Sequence, residues 1–252
     1  MQRLSHPVEP GRATAQAGLT PLVPVLSGLG LVIGLLFAGL FPIDPLIAGG
    51  NALRSVVLFV MGVGLATILA PKVGLSSGVV PQRSILGAVA GYAVLQALYI
   101  VIVDAVLFRS VLPANYVNTF LHEPLAERLL GYCTRAFYES LMYRFFIGTT
   151  LIWCIRWVLR LRGPIPFGIV MMAMLAAQTI NIAANVLGVY WPEATPAVML
   201  WIVVRFVLPG TFWGYVYYRS GLVVSEYAAS ALHLILQPVI GFALAAGLSS
   251  IS

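Results

Sequence analysis

The chain has 252 residues, 60% of them hydrophobic and only 9% charged, with a mean hydropathy of +0.97. Soluble domains carry about 25% charged residues, so this composition excludes a soluble globular domain and points to a polytopic membrane protein. The net charge of +6 comes from 14 Lys and Arg that stand scattered along the sequence without a patch. They read as topology determinants facing a lipid bilayer, and no nucleic-acid partner is expected.

In chain order, residues 1–18 form a polar tail with Arg3 and Arg12. The apolar run 19–41 is too long for a signal-peptide core and reads as a retained first span, ending in the loop Phe41–Pro45. A second span is expected over 51–70, closed by Pro71 and Lys72, and a third over 84–108 with Gln96 and Asp104. Asp104 lies near the end of its span, where a carboxylate can reach headgroups. Gly30 with Gly34 and Gly87 with Gly91 give small-xxx-small pairs, which let helix backbones approach closely. The three spans together occupy 19–109.

The interval 110–135 is the longest polar stretch. Within it, Leu121–Tyr132 places Leu125, Leu129 and Tyr132 on one face, as an interfacial helix would. His122 and Glu123 are adjacent on that helix and face different directions, which suits a solvated surface better than a ligand pair.

The fourth span, 136–159, is the hub of the sequence. It holds Glu139 and Arg144 inside an apolar run, where a charge costs at least ~2.5–3.5 kcal/mol. Ser140 lies one helical turn below Arg144 and cannot neutralise it, so both charges are expected to find partners on other helices. Cys133 and Cys154 are about 31 Å apart along this helix at 1.5 Å per residue, which rules out a bridge between them.

The fifth span, 165–189, carries Gln178, Asn181 and Asn185 on one face, a stripe suited to lining a polar cavity. The sixth, 196–218, carries Arg205 at depth, then Pro209-Gly210, which should kink or break the helix. Trp191, Trp201, Trp213, Tyr215, Tyr217 and Tyr218 read as interfacial aromatics. The seventh, 222–248, has Glu226 near its start and His233 with Gln237 one turn apart. The fold expected is thus all-α, a transmembrane bundle of about seven spans. Basic residues gather on the side shared by the N-terminus and the even-numbered loops, which places the N-terminus in the cytoplasm.

These residues carry a resemblance. Glu139-Ser-Leu-Met-Tyr-Arg144 resembles the E-E-x-x-x-R motif of the CPBP family of intramembrane proteases, which includes CAAX prenyl proteases and bacteriocin-processing proteins. Gly210–Gln237 resembles that family's G-x-x-x-G-x-x-Y-x-R-T-G stretch leading into H-x-x-x-N. The likeness spans about 137–237 and implies a four-helix CPBP-like core in 136–252, in a bacterial inner membrane. It implies Glu139 as the base that activates water and His233 as an oxyanion-side group, with Asn181 and Gln237 in the places of a His and an Asn. Ser140, Arg144, Gln178, Asn185 and Arg205 would be structural polar neighbours.

The departures can be ranked by their chemistry. Gln237 for Asn keeps an amide donor, and Ser140 for Glu removes a charge near Arg144. Asn181 for His is the gravest, because an amide cannot relay a proton near neutral pH. Catalytic zinc wants three protein ligands, whereas only Glu139, Glu226 and His233 are expected at depth, so no metal or cofactor is expected. A haem or pigment on His233 would rest on that single residue.

Two function classes follow. The first is a membrane-embedded binding or scaffold protein that keeps the bundle and holds a lipidated or membrane-anchored peptide, or a membrane protein partner. The alternative is an active glutamate-type endopeptidase with Glu139 as general base.

Overall fold

The computed structural model describes residues 22–37, 52–82 and 84–248. The expectations for the tail 1–18 and for the Phe41–Pro45 loop lie outside the described residues. Every regular element among those described is helical. They are α1 (Leu22–Phe37), α2 (Ala52–Leu69), α3 (Ile85–Ile102), α4 (Ala114–His122), α5 (Leu125–Glu139) and α6 (Thr149–Val158). After these come α7 (Phe167–Asn185), α8 (Leu187–Tyr190), α9 (Pro196–Ile202), α10 (Leu208–Ser220) and α11 (Leu222–Leu248).

Four helical stretches are long and apolar enough to cross a membrane: Ile85–Leu107, Phe167–Asn185, Pro196–Ser220 and Leu222–Ala246. They are compatible with an integral membrane protein. Leu53–Leu69 is apolar but shorter.

Helix starts follow from local chemistry. Ser84 caps α3 by accepting a hydrogen bond from Gly87 N at 2.9 Å, and Thr195 caps α9 by accepting one from Val198 N at 3.2 Å. Pro124 and Pro166 stand at the entrances of α5 and α7, where a missing N–H is harmless. The interval read as a polar loop with one interfacial helix is in fact two helices, α4 and α5. The break falls at Glu123-Pro124, because a residue before proline is driven out of the helical region. Arg128, off the face formed by Leu125, Leu129 and Tyr132, is buried against Gly241 and sits 5.0 Å over the Phe120 ring. Leu125 is exposed instead.

Three stretches are wound wider than an α-helix, with π-type turns: Val103–Leu107, Ser140–Gly148 and Val203–Val207. Each contains one buried charged residue, respectively Asp104, Arg144 and Arg205. The second stretch joins α5 to α6. The third precedes Pro209, and helix resumes at Leu208, so the Pro209-Gly210 pair does not break this span. A wide turn ahead of the proline supplies the room that its ring and missing N–H require.

Helix association in a bilayer rests on close packing and interhelical hydrogen bonds. α11 packs against α3, α5 and α10, while the wide stretch Ser140–Gly148 packs against α2 and α7. A Cβ on Gly210 would fall 1.9 Å from the Gln178 side chain, and one on Gly214 would fall 2.6 Å from Met174 Cβ. This pair is the close approach between α10 and α7. Of the glycines expected to play that part, a Cβ on Gly30 or Gly91 would meet nothing within 4 Å, and one on Gly87 only its own cap, Ser84. Glycine spacing records the chance of close approach, and only the neighbour decides whether it is used.

The segment Ser76–Val80, between α2 and α3, is clipped to the α10–α11 turn by backbone bonds. Val80 N donates to Ser220 O (3.1 Å), Leu222 N to Ser76 O (3.0 Å) and Val223 N to Gly78 O (3.3 Å). Gly221 holds this clip at φ 89°, and a Cβ there would sit 2.3 Å from Gly78 O.

Of the aromatics read as interfacial, Trp191 is exposed, but Trp201, Trp213 and Tyr217 are core residues. Trp157, at the end of α6, is the exposed tryptophan that reading missed. Cys133 and Cys154 are both free thiols.

Candidate functional site

A cavity of about 260 Å3 lies where α5, α7, α10 and α11 face one another. Of the expected site residues, Glu139, Arg144, Gln178, Asn185, Arg205 and His233 line it. Asn181 and Gln237 stand just behind, each bonded to a lining residue. The helix periodicity that put the three amides on one face of α7 therefore aims that face at the hub.

Glu139 is the centre of the network. Its Oε1 accepts from Arg135 Nε at 2.9 Å, and its Oε2 accepts from Asn181 Nδ2 at 3.1 Å. Arg135 also donates Nη2 to Asn185 O at 3.3 Å. Asn185 Nδ2 donates to Asn181 Oδ1 (2.9 Å) and to the Tyr143 hydroxyl (2.8 Å). Gln178 Nε2 donates to Phe206 O at 3.1 Å. The carboxylate thus has its charged partner on its own helix, not on another as expected. Arg135, four residues before Glu139, was readable as an i,i+4 pair and was missed.

Arg144 behaves differently. It donates to Ser140 Oγ on its own helix, and Ser140 Oγ in turn donates to Ala136 O at 2.8 Å. Its Nε has no hydrogen-bond partner, and no carboxylate among the described residues lies within ion-pairing distance. The charges that act on it are Glu139, at the end of α5, and then Glu226 of α11. Glu226 is fully buried, with neither carboxylate oxygen hydrogen-bonded, and Oε1 would lie 3.4 Å from a Cβ on Gly28 of α1.

On the far wall, Arg205 pairs with Asp104 at 2.7 Å (Nε to Oδ2). Asp104 also accepts from Trp201 Nε1 (2.9 Å) and from the Tyr116 hydroxyl (2.5 Å). Asp104 is 0% exposed, so it does not reach headgroups as its position near the span end suggested. It is the counter-ion of Arg205 from 101 residues away. His233 stacks on Tyr132 with ring centroids 5.4 Å apart, and its Nδ1 lies 3.3 Å from Gln237 Nε2.

Chemically, this arrangement offers a carboxylate held by a guanidinium and an amide, an imidazole on the same cavity, and one guanidinium with free donor capacity. No group of three potential metal ligands comes together among the described residues. No family model, curated protein or solved structure matches the chain.

Proposed function

We propose that the chain is an integral membrane protein of CPBP type with an altered active site, acting as a binding or scaffold protein through this cavity. One observation carries the reading. The residue in the place of the family's His, Asn181, donates its amide to Glu139, whose other oxygen is held by Arg135. Neither partner can accept a proton from a water on its way to a scissile carbonyl. The site is built to hold its carboxylate in place, with the amides of α7 as a fixed wall.

The second reading, a glutamate-type endopeptidase, is favoured by Glu139 and His233 sharing the cavity. A proteolysis assay in liposomes separates the two, with membrane-anchored and prenylated peptides offered to the native chain and to Glu139→Ala and His233→Ala. The binding reading expects no cleavage by any of them. Cleavage by the native chain that both substitutions abolish would overturn it. Asn181→His asks how far the site has moved: newly acquired cleavage would mark a decayed peptidase, and continued inactivity a repurposed cavity.

A further inference from the structure

We infer that the cavity takes one small organic anion, its carboxylate or phosphate seated on Arg144 and its apolar body against Ile182, Phe206 and Leu232. This inference rests on the binding reading above and names the ligand class. Three arginines line the cavity. Arg205 is neutralised by Asp104 and Arg135 by Glu139, each through a direct ion pair. Arg144 is buried, with only 6% of it exposed, yet it makes no such pair, and its hydrogen bond to Ser140 Oγ engages Nη1 alone.

Neither nearby carboxylate pairs with it directly: Glu139 gives its oxygens to Arg135 and Asn181, and Glu226 stands apart. That carboxylate does not line the cavity and forms no hydrogen bond with Arg144 or with any other group. A buried guanidinium without a direct counter-ion is strongly unfavourable. Its planar fork matches a carboxylate or phosphate better than any neutral group does. Tyr132 and Tyr190, which also line the space, add hydroxyl donors, and the remaining walls are largely aliphatic and aromatic. The space measures about 260 Å3. It suits a compact headgroup or a small aromatic acid.

The test uses the full chain in nanodiscs of phosphatidylcholine, with benzoate and its neutral counterpart benzamide as probes, read by ligand-observed NMR. Benzoate is expected to bind at least roughly tenfold more tightly than benzamide, a difference of about one charge-assisted hydrogen bond. Arg144→Gln should abolish the preference, and Arg144→Lys, which keeps the charge, should retain part of it. Equal binding of the two probes, or a benzoate preference that survives Arg144→Gln in a chain with native thermal stability, overturns the anion site while leaving the binding reading intact. If Arg144→Gln fails to fold, a preference undiminished in Arg144→Lys overturns it as well. Binding of neither probe, in phosphatidylcholine discs or in detergent, also overturns the anion site, while the binding reading stands or falls by the proteolysis assay.

Phosphatidylglycerol in the discs distinguishes the source of the anion. Displacement of benzoate identifies a lipid headgroup, and unchanged benzoate binding identifies a free solute.

Discussion

Two buried charge sites face the same cavity and are built alike up to a point. In both, the charged residue sits in a π-wound stretch, where the wide turn pushes one side chain out of the α-helical register. Around Asp104 and Arg205 the two wide turns face each other, and Trp201 and Tyr116 add hydrogen bonds to the ion pair. Around Arg144 the wide turn is the longest of the three, and its neighbour Glu226 stands without a hydrogen bond. The first site is closed on itself and reads as structure. The second has capacity left over. A polar group at membrane depth is therefore better judged by what remains unsatisfied than by its mere presence.

The comparison can be broken at its strong end first. Asp104→Ala strands Arg205, and unfolding by heat or SDS should show a loss of about 3–5 kcal/mol. The double substitution Asp104→Leu with Arg205→Met should recover most of that loss, because it removes both charges together. A loss below ~1 kcal/mol for Asp104→Ala would mean that water, not Arg205, serves the carboxylate.

The next effect is steric. Gly210→Ala drives a methyl into Gln178 and should cost ~1–3 kcal/mol. Gly91→Ala, with open space around it, should be near neutral in the same unfolding assay.

At the open site the expected sign reverses. Glu226→Met replaces an unpartnered buried carboxylate with an apolar side chain of similar size, and stability should stay within ~1 kcal/mol of native or rise. A large loss there would make Glu226 as well paired as Asp104 and erase the contrast.

The smallest effect belongs to Arg135 and Glu139. The Arg135 side chain is 39% exposed and Glu139 20%, so a double-mutant cycle with both changed to Gln should give a coupling of about 0.2–1 kcal/mol.

Much of the helical pattern was legible in apolar run length, and of the seven spans expected the third, fifth, sixth and seventh coincide with stretches long and apolar enough to cross. The amide stripe on α7 and the charged hub were also legible, since fixed helical spacing puts residues on a known face. What the sequence withheld were choices made between helices. Nothing in the spacing of Asp104 and Arg205 announces a pair across 101 residues. The glycines at 30, 87 and 91 sit in the same small-xxx-small spacing as the pair at 210/214, yet of these only 210 and 214 have a neighbouring helix pressed against them. The wide turns were hidden for a related reason: Ser140–Gly148 has an ordinary composition, and its winding answers to the packing of α2 and α7 around it. The partnership of Arg135 with Glu139 was written in plain i,i+4 spacing, and the expectation of an interhelical partner obscured it.

The clip between Ser76–Val80 and Ser220–Val223 also bears on the order in which the molecule is made. Its first strand of backbone leaves the ribosome about 140 residues before its second, which at ~5–20 residues per second is a wait of roughly 7–28 s. Through that interval Val80 N–H and the carbonyls of Ser76 and Gly78 lack the partners they finally take. The last turn of the bundle is therefore what locks its early loop. A nascent chain stopped short of Ser220 leaves that loop unclipped.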